Sequence, residues 1–179
     1  MAKVHLESVP DLMKKAGEIR KDIARSARYA GNVHIGGPMS AADIVTALYY
    51  KYLGFDPENV EDPERNMFVL SKGHNGILLY CIFCDMGMYP WEELFDYYNK
   101  IGHTFGAHPN RKHVRGIEVS TGSLGHGLNW SVGLLMQTEM KALIPESTAC
   151  WETAKWKKDP TGKQSCMQVP TIWTTLLQS

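Results

Sequence analysis

The chain has 179 residues, 44% of them hydrophobic, which is enough for one domain with a core of its own. Its 19 basic residues balance its 19 acidic residues, so charge gives no reason to expect a nucleic-acid or anionic-membrane partner. No apolar run approaches the roughly 20 residues that span a bilayer, and residues 1–8 lack the apolar stretch of a secretory signal, so we expect a cytoplasmic protein.

The first third of the chain predicts two helices joined by a glycine-rich loop. Ser8 and Pro10 are typical of a helix start, apolar residues then recur at steps of three and four, and Gly31 is well placed to end the helix. Ser40 with Asp43 resembles a capping box, which places the start of the second helix there.

Two short apolar runs are each followed by a glycine-rich turn and a helical pattern. The first run is Met67–Leu70, followed by the turn at 71–74 and a helix expected from Asn75 to Met86. The second is Ile117–Val119, which enters the turn at 121–127. A strand, a tight glycine turn and a helix together point free backbone N–H groups at a phosphate. Two such units indicate an α/β fold with a mainly parallel sheet and flanking helices.

The segment between these units carries a predicted helix from Pro90 to Lys100 and a long loop at 101–115. Cys81 and Cys84, just before it, form a C-x-x-C pair, a spacing also found in zinc and redox sites. Both lie in an apolar run at helical spacing, however, which favours two small buried residues on one helix.

Four of the seven histidines stand beside glycine or proline in predicted loops: His34, His74, His108 and His126. Imidazole can donate to a phosphate, or exchange a proton near neutral pH. Zinc is the competing interpretation, with His103, His108 and His113 as ligands. Their spacing of five does not place them on one helical face, and no cysteine pair nearby completes a tetrahedral set. We therefore predict no metal site built from these histidines.

The order and separation of several sequence blocks resemble the amino-terminal part of transketolases. The resemblance runs from about Leu12 to Leu134 and is carried by five blocks: Ile19-Arg20-Lys21-Asp22-Ile23, His34-Ile35-Gly36-Gly37-Pro38-Met39-Ser40-Ala41-Ala42-Asp43-Ile44, Phe68-Val69-Leu70-Ser71-Lys72-Gly73-His74, Gly106-Ala107-His108-Pro109, and Ser120-Thr121-Gly122-Ser123-Leu124-Gly125-His126-Gly127-Leu128. The compact start is similar to the amino-terminal subunit of split transketolases, in which a second chain supplies the other half of the site.

This resemblance implies a thiamine-diphosphate enzyme that transfers a two-carbon ketol unit between sugar phosphates. The cofactor would supply the carbanion chemistry, and the protein would position it and move protons. Further implications are a place in the pentose phosphate pathway, a homodimer and a carboxy-terminal transketolase chain as partner. The nearest rival within enzymes is a deoxyxylulose-phosphate type of synthase. Outside enzymes, the rival is a non-catalytic fragment or interaction module.

The resemblance also assigns roles to individual residues. It implies that His34 and His108 contact substrate hydroxyls and assist proton transfer. His74 would approach the diphosphate, and Gly122 and Leu124 would present backbone groups to the cofactor. His126 is grouped with the cofactor-binding residues, although many transketolases have glutamine at this place.

The resemblance predicts a truncated domain. Residues 1–135 form its amino-terminal part, and residues 136–179 are a non-family tail that we expect to be disordered. Transketolases continue with a Gly-Asp-Gly segment and an asparagine that hold Mg²⁺, and these ligands are missing after Leu135. If each codon of the tail began at the third base of the present one, Trp151 onward could encode Gly-Asp-Gly. We therefore predict a frameshift near Leu135 and a chain that is inactive alone.

Overall fold

The computed structural model describes residues 5–31, 33–62, 64–140 and 147–150. Helices and short turns dominate these ranges, and the sheet they contain consists of two parallel strands. The prediction of a parallel sheet with flanking helices is therefore confirmed in part. Within this described portion, no helix has both the length and the apolar character needed to cross a membrane.

Helix α1, Val9–Ala30, has the predicted boundaries. The Ser8 side chain accepts a hydrogen bond from the Asp11 backbone N–H at 3.2 Å, which satisfies one of the free donors at the helix start. Gly31 ends the helix with a φ of +72°, a backbone angle that glycine adopts without a Cβ clash. The buried face of α1 carries Ile19 and Ile23, both 0% exposed.

The predicted start of the second helix is wrong. Helix α2, Gly36–Ala47, begins four residues before Ser40, which lies within the helix and donates to the backbone oxygen of Gly37 at 2.8 Å. Asp43 does not cap the helix start. Both its carboxylate oxygens instead accept hydrogen bonds from the Arg20 guanidinium, at 2.7 and 2.5 Å. This ion pair fastens α2 to α1. A short π-helical turn, Leu48–Tyr52, follows α2 directly.

Strand β1, Met67–Leu70, lies where the sequence predicts it. A 3₁₀ turn at Gly73–Asn75 joins it to helix α3, Gly76–Asp85. Every residue of α3 from Gly76 to Cys84 is buried, so this helix is the centre of the core. Cys81 and Cys84 lie inside it as free thiols, as expected, and burial raises the pKa of Cys84 to about 12.

Two further predictions about secondary structure are wrong. Helix α4 covers only Trp91–Phe95, because the chain reverses at Asn99, which has a φ of +57° and donates its backbone N–H to Phe105 O at 2.7 Å. Residues 117–119 do not form the predicted strand, and the chain bends at 118 and 119. There the buried Glu118 carboxylate pairs with Arg65, and Ile117 N–H closes a turn onto Val114 O at 3.3 Å.

Helix α5, His126–Met140, and strand β2, Ser147–Cys150, complete the described fold. Strand β2 pairs with β1 in parallel, with Met67 opposite Ser147 and Leu70 opposite Cys150. Helix α5 therefore lies between the second glycine turn and strand β2, which is the neighbour of β1 in the sheet. The division at residue 135 and the disorder of the tail stay predictions, since residues 151–179 lie outside the described ranges.

Candidate functional site

The two glycine turns predicted from the sequence lie against each other. A Cβ built on Gly73, in the turn after β1, would fall 2.7 Å from the backbone C and O of Thr121 and 2.8 Å from the Gly122 N. A side chain at position 73 would therefore collide with backbone, and only glycine permits this approach. The sequence separates these turns by about 50 residues, and the fold brings them into contact.

Three of the four singled-out histidines form one cluster around these turns. The ring centroids of His34 and His74 are 5.3 Å apart, and those of His34 and His108 are 6.5 Å apart, both with edge-on geometry. His34 and His108 are exposed residues, and His74 is half-buried. We call His34, His74 and His108 the histidine cluster. It joins the loop before α2, the turn before α3 and the long loop at 101–115.

Hydrogen bonds from the second glycine turn hold the loop that carries His108. The backbone N–H of Thr121 donates to Pro109 O at 3.3 Å, and the Ser120 hydroxyl accepts from the Arg111 N–H at 3.0 Å. A Cβ on Gly122 would lie 3.7 Å from Cδ2 of His108, so Gly122 is in van der Waals reach of the imidazole. The predicted residues His108 and Gly122 are therefore direct neighbours.

The other two predicted residues lie further along the second turn. Leu124 is half-buried, and His126 is exposed at the first position of α5, with its backbone N–H donating to Ser123 O at 3.3 Å. Within the described residues, the ring contacts of the histidine cluster do not include His126. The roles of Leu124 and His126 toward a cofactor stay predictions.

Sequence reasoning missed two polar residues beside the cluster. Asn75 is fully buried, and neither atom of its carboxamide has a hydrogen-bond partner among the described residues. The buried Thr121 hydroxyl likewise has none in this part of the chain. Asn75 directly follows His74 in the sequence, and Thr121 donates its backbone N–H to Pro109 O, next to His108. The available signal was a polar residue placed directly after Gly73-His74 and before an entirely apolar helix.

The donors gathered here suit a diphosphate better than they suit its metal ion. Imidazole N–H groups, turn backbone and the unpaired Thr121 hydroxyl are groups that hydrogen-bond phosphate oxygens. Mg²⁺ instead requires carboxylate, carbonyl or amide oxygens. In the ranges that the structure describes, no three His, Cys, Asp or Glu side chains are arranged to hold a metal.

Comparison with known proteins identifies the family. The pattern of the transketolase thiamine diphosphate binding domain matches residues 14–147, more than half of the chain. The chain belongs to the transketolase family. Its histidine cluster lies within the matched region.

Proteins named as subunits of transketolases are similar to the chain. It is 37% identical over 133 residues to the 6-deoxy-6-sulfo-D-fructose transketolase subunit SqwG of Clostridium sp. (strain MSTE9), covering 74% of this chain and 48% of the relative. It is 36% identical over 128 residues to an apulose-4-phosphate transketolase subunit of Actinobacillus succinogenes, covering 71% and 46%. The chain therefore spans about half the length of these relatives.

Solved transketolase structures share the α/β fold of this region. The transketolase from Leishmania mexicana aligns with a TM-score of 0.69 and 26% identity, over 81% of this chain and 22% of that one. The Pichia stipitis transketolase in complex with sedoheptulose 7-phosphate aligns with a TM-score of 0.67 and 29% identity, over 77% and 21%. The described part of the present chain corresponds to about a fifth of a full transketolase.

Proposed function

We propose that this chain is the amino-terminal component of a thiamine-diphosphate-dependent ketol transferase acting on sugar phosphates. The observation that carries the proposal is the histidine cluster, in which His34, His74 and His108 come from three separate segments to one pair of glycine turns. The names of the similar subunits support a ketose-type donor. Membership of the pentose phosphate pathway and a cytoplasmic location are part of the same proposal.

The cluster divides into a substrate side and a cofactor side. His34 and His108 are exposed, so their imidazole nitrogens are accessible to sugar hydroxyls. One of them accepts the hydroxyl proton on the carbon that becomes the aldehyde as the C–C bond breaks, and returns it in the reverse direction. His74 is half-buried in the turn before α3, a position that suits a donor to the diphosphate.

Thiamine diphosphate, when bound, supplies the carbanion that adds to the ketose carbonyl. The residues that would hold its diphosphate are His74 and the backbone of Gly122 and Leu124, with His126 at the start of α5. Gly73 lets the two turns lie in contact, Gly122 leaves space beside His108, and the unpaired Thr121 hydroxyl would supply a further donor. The Mg²⁺ that the family uses finds no group of three His, Cys, Asp or Glu side chains among the described residues.

A frameshift would explain why the family's metal ligands are missing from the sequence after Leu135. Read from the third base of each codon, the pair Trp151–Glu152 forces glycine, and Trp156–Lys157 forces glutamate. Trp173–Thr174 likewise forces aspartate. The same frame permits Gly-Asp-Gly from Trp151 and an asparagine further on. These residues lie outside the described part of the chain, so the sequence alone supports this step.

We expect sequencing of the encoding DNA to show a one-base difference between residues 135 and 151 relative to the frame that encodes Gly-Asp-Gly. The reason is that forced codon overlaps leave few free bases, so the family pattern would not persist in a tail of unrelated origin. The measurement is the nucleotide sequence of this interval. An alternative frame without Gly-Asp-Gly contradicts the frameshift but leaves the family assignment intact.

The function itself is tested by a coupled assay with xylulose 5-phosphate, ribose 5-phosphate, thiamine diphosphate and Mg²⁺. We expect no turnover from this chain alone, because its sequence after Leu135 contains neither the Gly-Asp-Gly segment nor the asparagine that hold Mg²⁺ in the family. We expect turnover when the Gly-Asp-Gly frame is restored and the carboxy-terminal chain of a split transketolase is added. In that complex, His108→Ala should lower kcat by about 10²–10⁴-fold, the usual contribution of a general acid–base group.

His113→Ala is the matched control, because His113 is another exposed histidine of the same loop and lies outside the cluster. We expect it to leave kcat unchanged. Equal losses in the two variants would argue against a role for His108 in proton transfer. Turnover by the unaltered chain alone would contradict the predicted inactivity, and no turnover by the restored complex would favour the non-catalytic alternative.

A further inference from the structure

Asn75, directly after His74, carries unpaired buried polar atoms. Among the described residues, such atoms belong to four side chains: Thr46, Asn75, Tyr80 and Thr121. Asn75 alone of the four contributes two, Nδ2 and Oδ1, and its residue is 0% exposed. Buried carboxamides in folded proteins are nearly always hydrogen-bonded. An amide left unpaired on both sides therefore requires an explanation.

The side chain of Asn75 lies between the His74 turn, to which Asn75 belongs, and the start of α2, which follows His34. It closes the 3₁₀ turn Gly73–Asn75, directly after His74. From the other side, Gly37 packs onto it so closely that a Cβ at position 37 would overlap Oδ1 of Asn75 and lie 3.1 Å from its Cγ. The same Cβ would lie 3.2 Å from Nε2 of His74. The carboxamide thus spaces the start of α2 from the His74 turn.

We propose that Asn75 is a positioning residue of the histidine cluster, whose carboxamide sets the distance between His34 and His74 and gains hydrogen-bond partners when a diphosphate-type anion binds there. The inference rests on the proposed function for the identity of the anion. The spacing of the two histidines follows from the packing alone. A neutral amide offers two donors and one acceptor, which suits a contact shared between a loop backbone and an anion.

Packing alone does not require an amide at this place. Leucine has nearly the same branched shape as asparagine and no polar atoms, so it would fill the site without leaving unpaired groups. Replacing an unsatisfied buried polar group by an apolar group of the same shape is neutral or stabilising. A residue that is unfavourable for stability and lies beside catalytic groups is typical of a functional position. Asn75→Leu should therefore leave the stability of the chain unchanged or raise it, while it displaces His34 and His74.

The test compares the full chain with Asn75→Leu, using histidine labelled with ¹³C at Cε1. Resonances of His34 and His74 are assigned from His34→Gln and His74→Gln. Thr46→Val is the matched control, because it also removes an unpaired buried polar atom at constant shape, in the last turn of α2. The readouts are the thermal midpoint, the histidine resonances and a titration with inorganic pyrophosphate.

We expect both variants to unfold at or above the wild-type midpoint. In Asn75→Leu, the resonances of His34 and His74 should move while those of His5 and His113 stay in place, and pyrophosphate should bind about tenfold more weakly. In Thr46→Val, all histidine resonances should stay in place. Gly37→Ala should displace the same two resonances, and Gly37→Ala with Asn75→Ala should return them toward wild type.

Unmoved His34 and His74 resonances in Asn75→Leu would overturn the proposal, because the residue would then be a filler. A lower midpoint for Asn75→Leu would also overturn it, because the amide would then be paired in the free chain. If the wild-type chain shows no response to pyrophosphate while the two resonances still move, the spacing role stands. The anion-binding part and the cofactor site of the proposed function would then fail.

Discussion

Gly127→Ala should destabilise the chain by about 3 kcal/mol or more, the upper part of the range for overpacked sites. Gly127 is the second residue of α5 and lies against the end of β1. A Cβ at this position would fall 2.5 Å from Cβ and 2.6 Å from Cα of Ser71. Ser71 is itself buried at 3% exposure, so neither partner can swing into solvent. The helix start must move, and the second glycine turn must move with it.

Gly133→Ala provides the control on the same helix. No atom of the described residues lies within 4 Å of a Cβ at position 133, so alanine there should stabilise the chain by roughly 0.5–1 kcal/mol, through helix propensity. The measurement is urea unfolding of both variants. Ser71→Gly should rescue Gly127→Ala only in part, since Cα of Ser71 remains in the way. Equal stability of the two alanine variants would show that α5 does not approach β1 so closely.

The accuracy of the sequence predictions follows how local the determining interactions are. The limits of α1 were predictable because Ser8 and Gly31 act on backbone within one turn of themselves. Strand β1 was predictable because its four apolar residues are bounded by polar ones. Ile117–Val119 offered a similar pattern, but its conformation depends on Arg65, more than 50 residues away, which binds Glu118. No local pattern carries that information.

The candidate site shows the same division. The resemblance named His34, His74, His108 and Gly122, and the fold brings these four together. It did not name Asn75, because the importance of that residue is visible only once Gly37 is packed against it. A contact between positions 37 and 75 leaves no periodicity in the sequence. A residue that spaces the histidines is therefore harder to predict than the histidines themselves.

Arg65→Met should destabilise the chain by about 3–5 kcal/mol, the usual range when one partner of a buried ion pair is removed. Arg65 binds both oxygens of Glu118 at 2.5 and 2.6 Å, and the two side chains are only 19% and 8% exposed. Burial is the largest single influence on the pKa of Arg65 and lowers it, but the hydrogen bonds to Glu118 and the nearby negative charge together outweigh burial and raise the pKa. Methionine keeps most of the aliphatic stem, so the loss falls mainly on the charge and its hydrogen bonds.

The Arg20–Asp43 pair is the control for the effect of burial, because it joins the same two chemical groups at the surface. It has the same two-bond geometry, at 2.7 and 2.5 Å, but its side chains are 33% and 63% exposed. Arg20→Met should therefore cost less than about 1 kcal/mol, as exposed ion pairs do. A double-mutant cycle of Arg65→Met with Glu118→Leu isolates the coupling, and the double variant should recover part of the loss. If Arg20→Met and Arg65→Met cost the same, burial does not govern the strength of the Arg65–Glu118 link. The Arg65–Glu118 pair would then not be what holds residues 117–119, at the entrance to the second glycine turn, against the segment around Arg65.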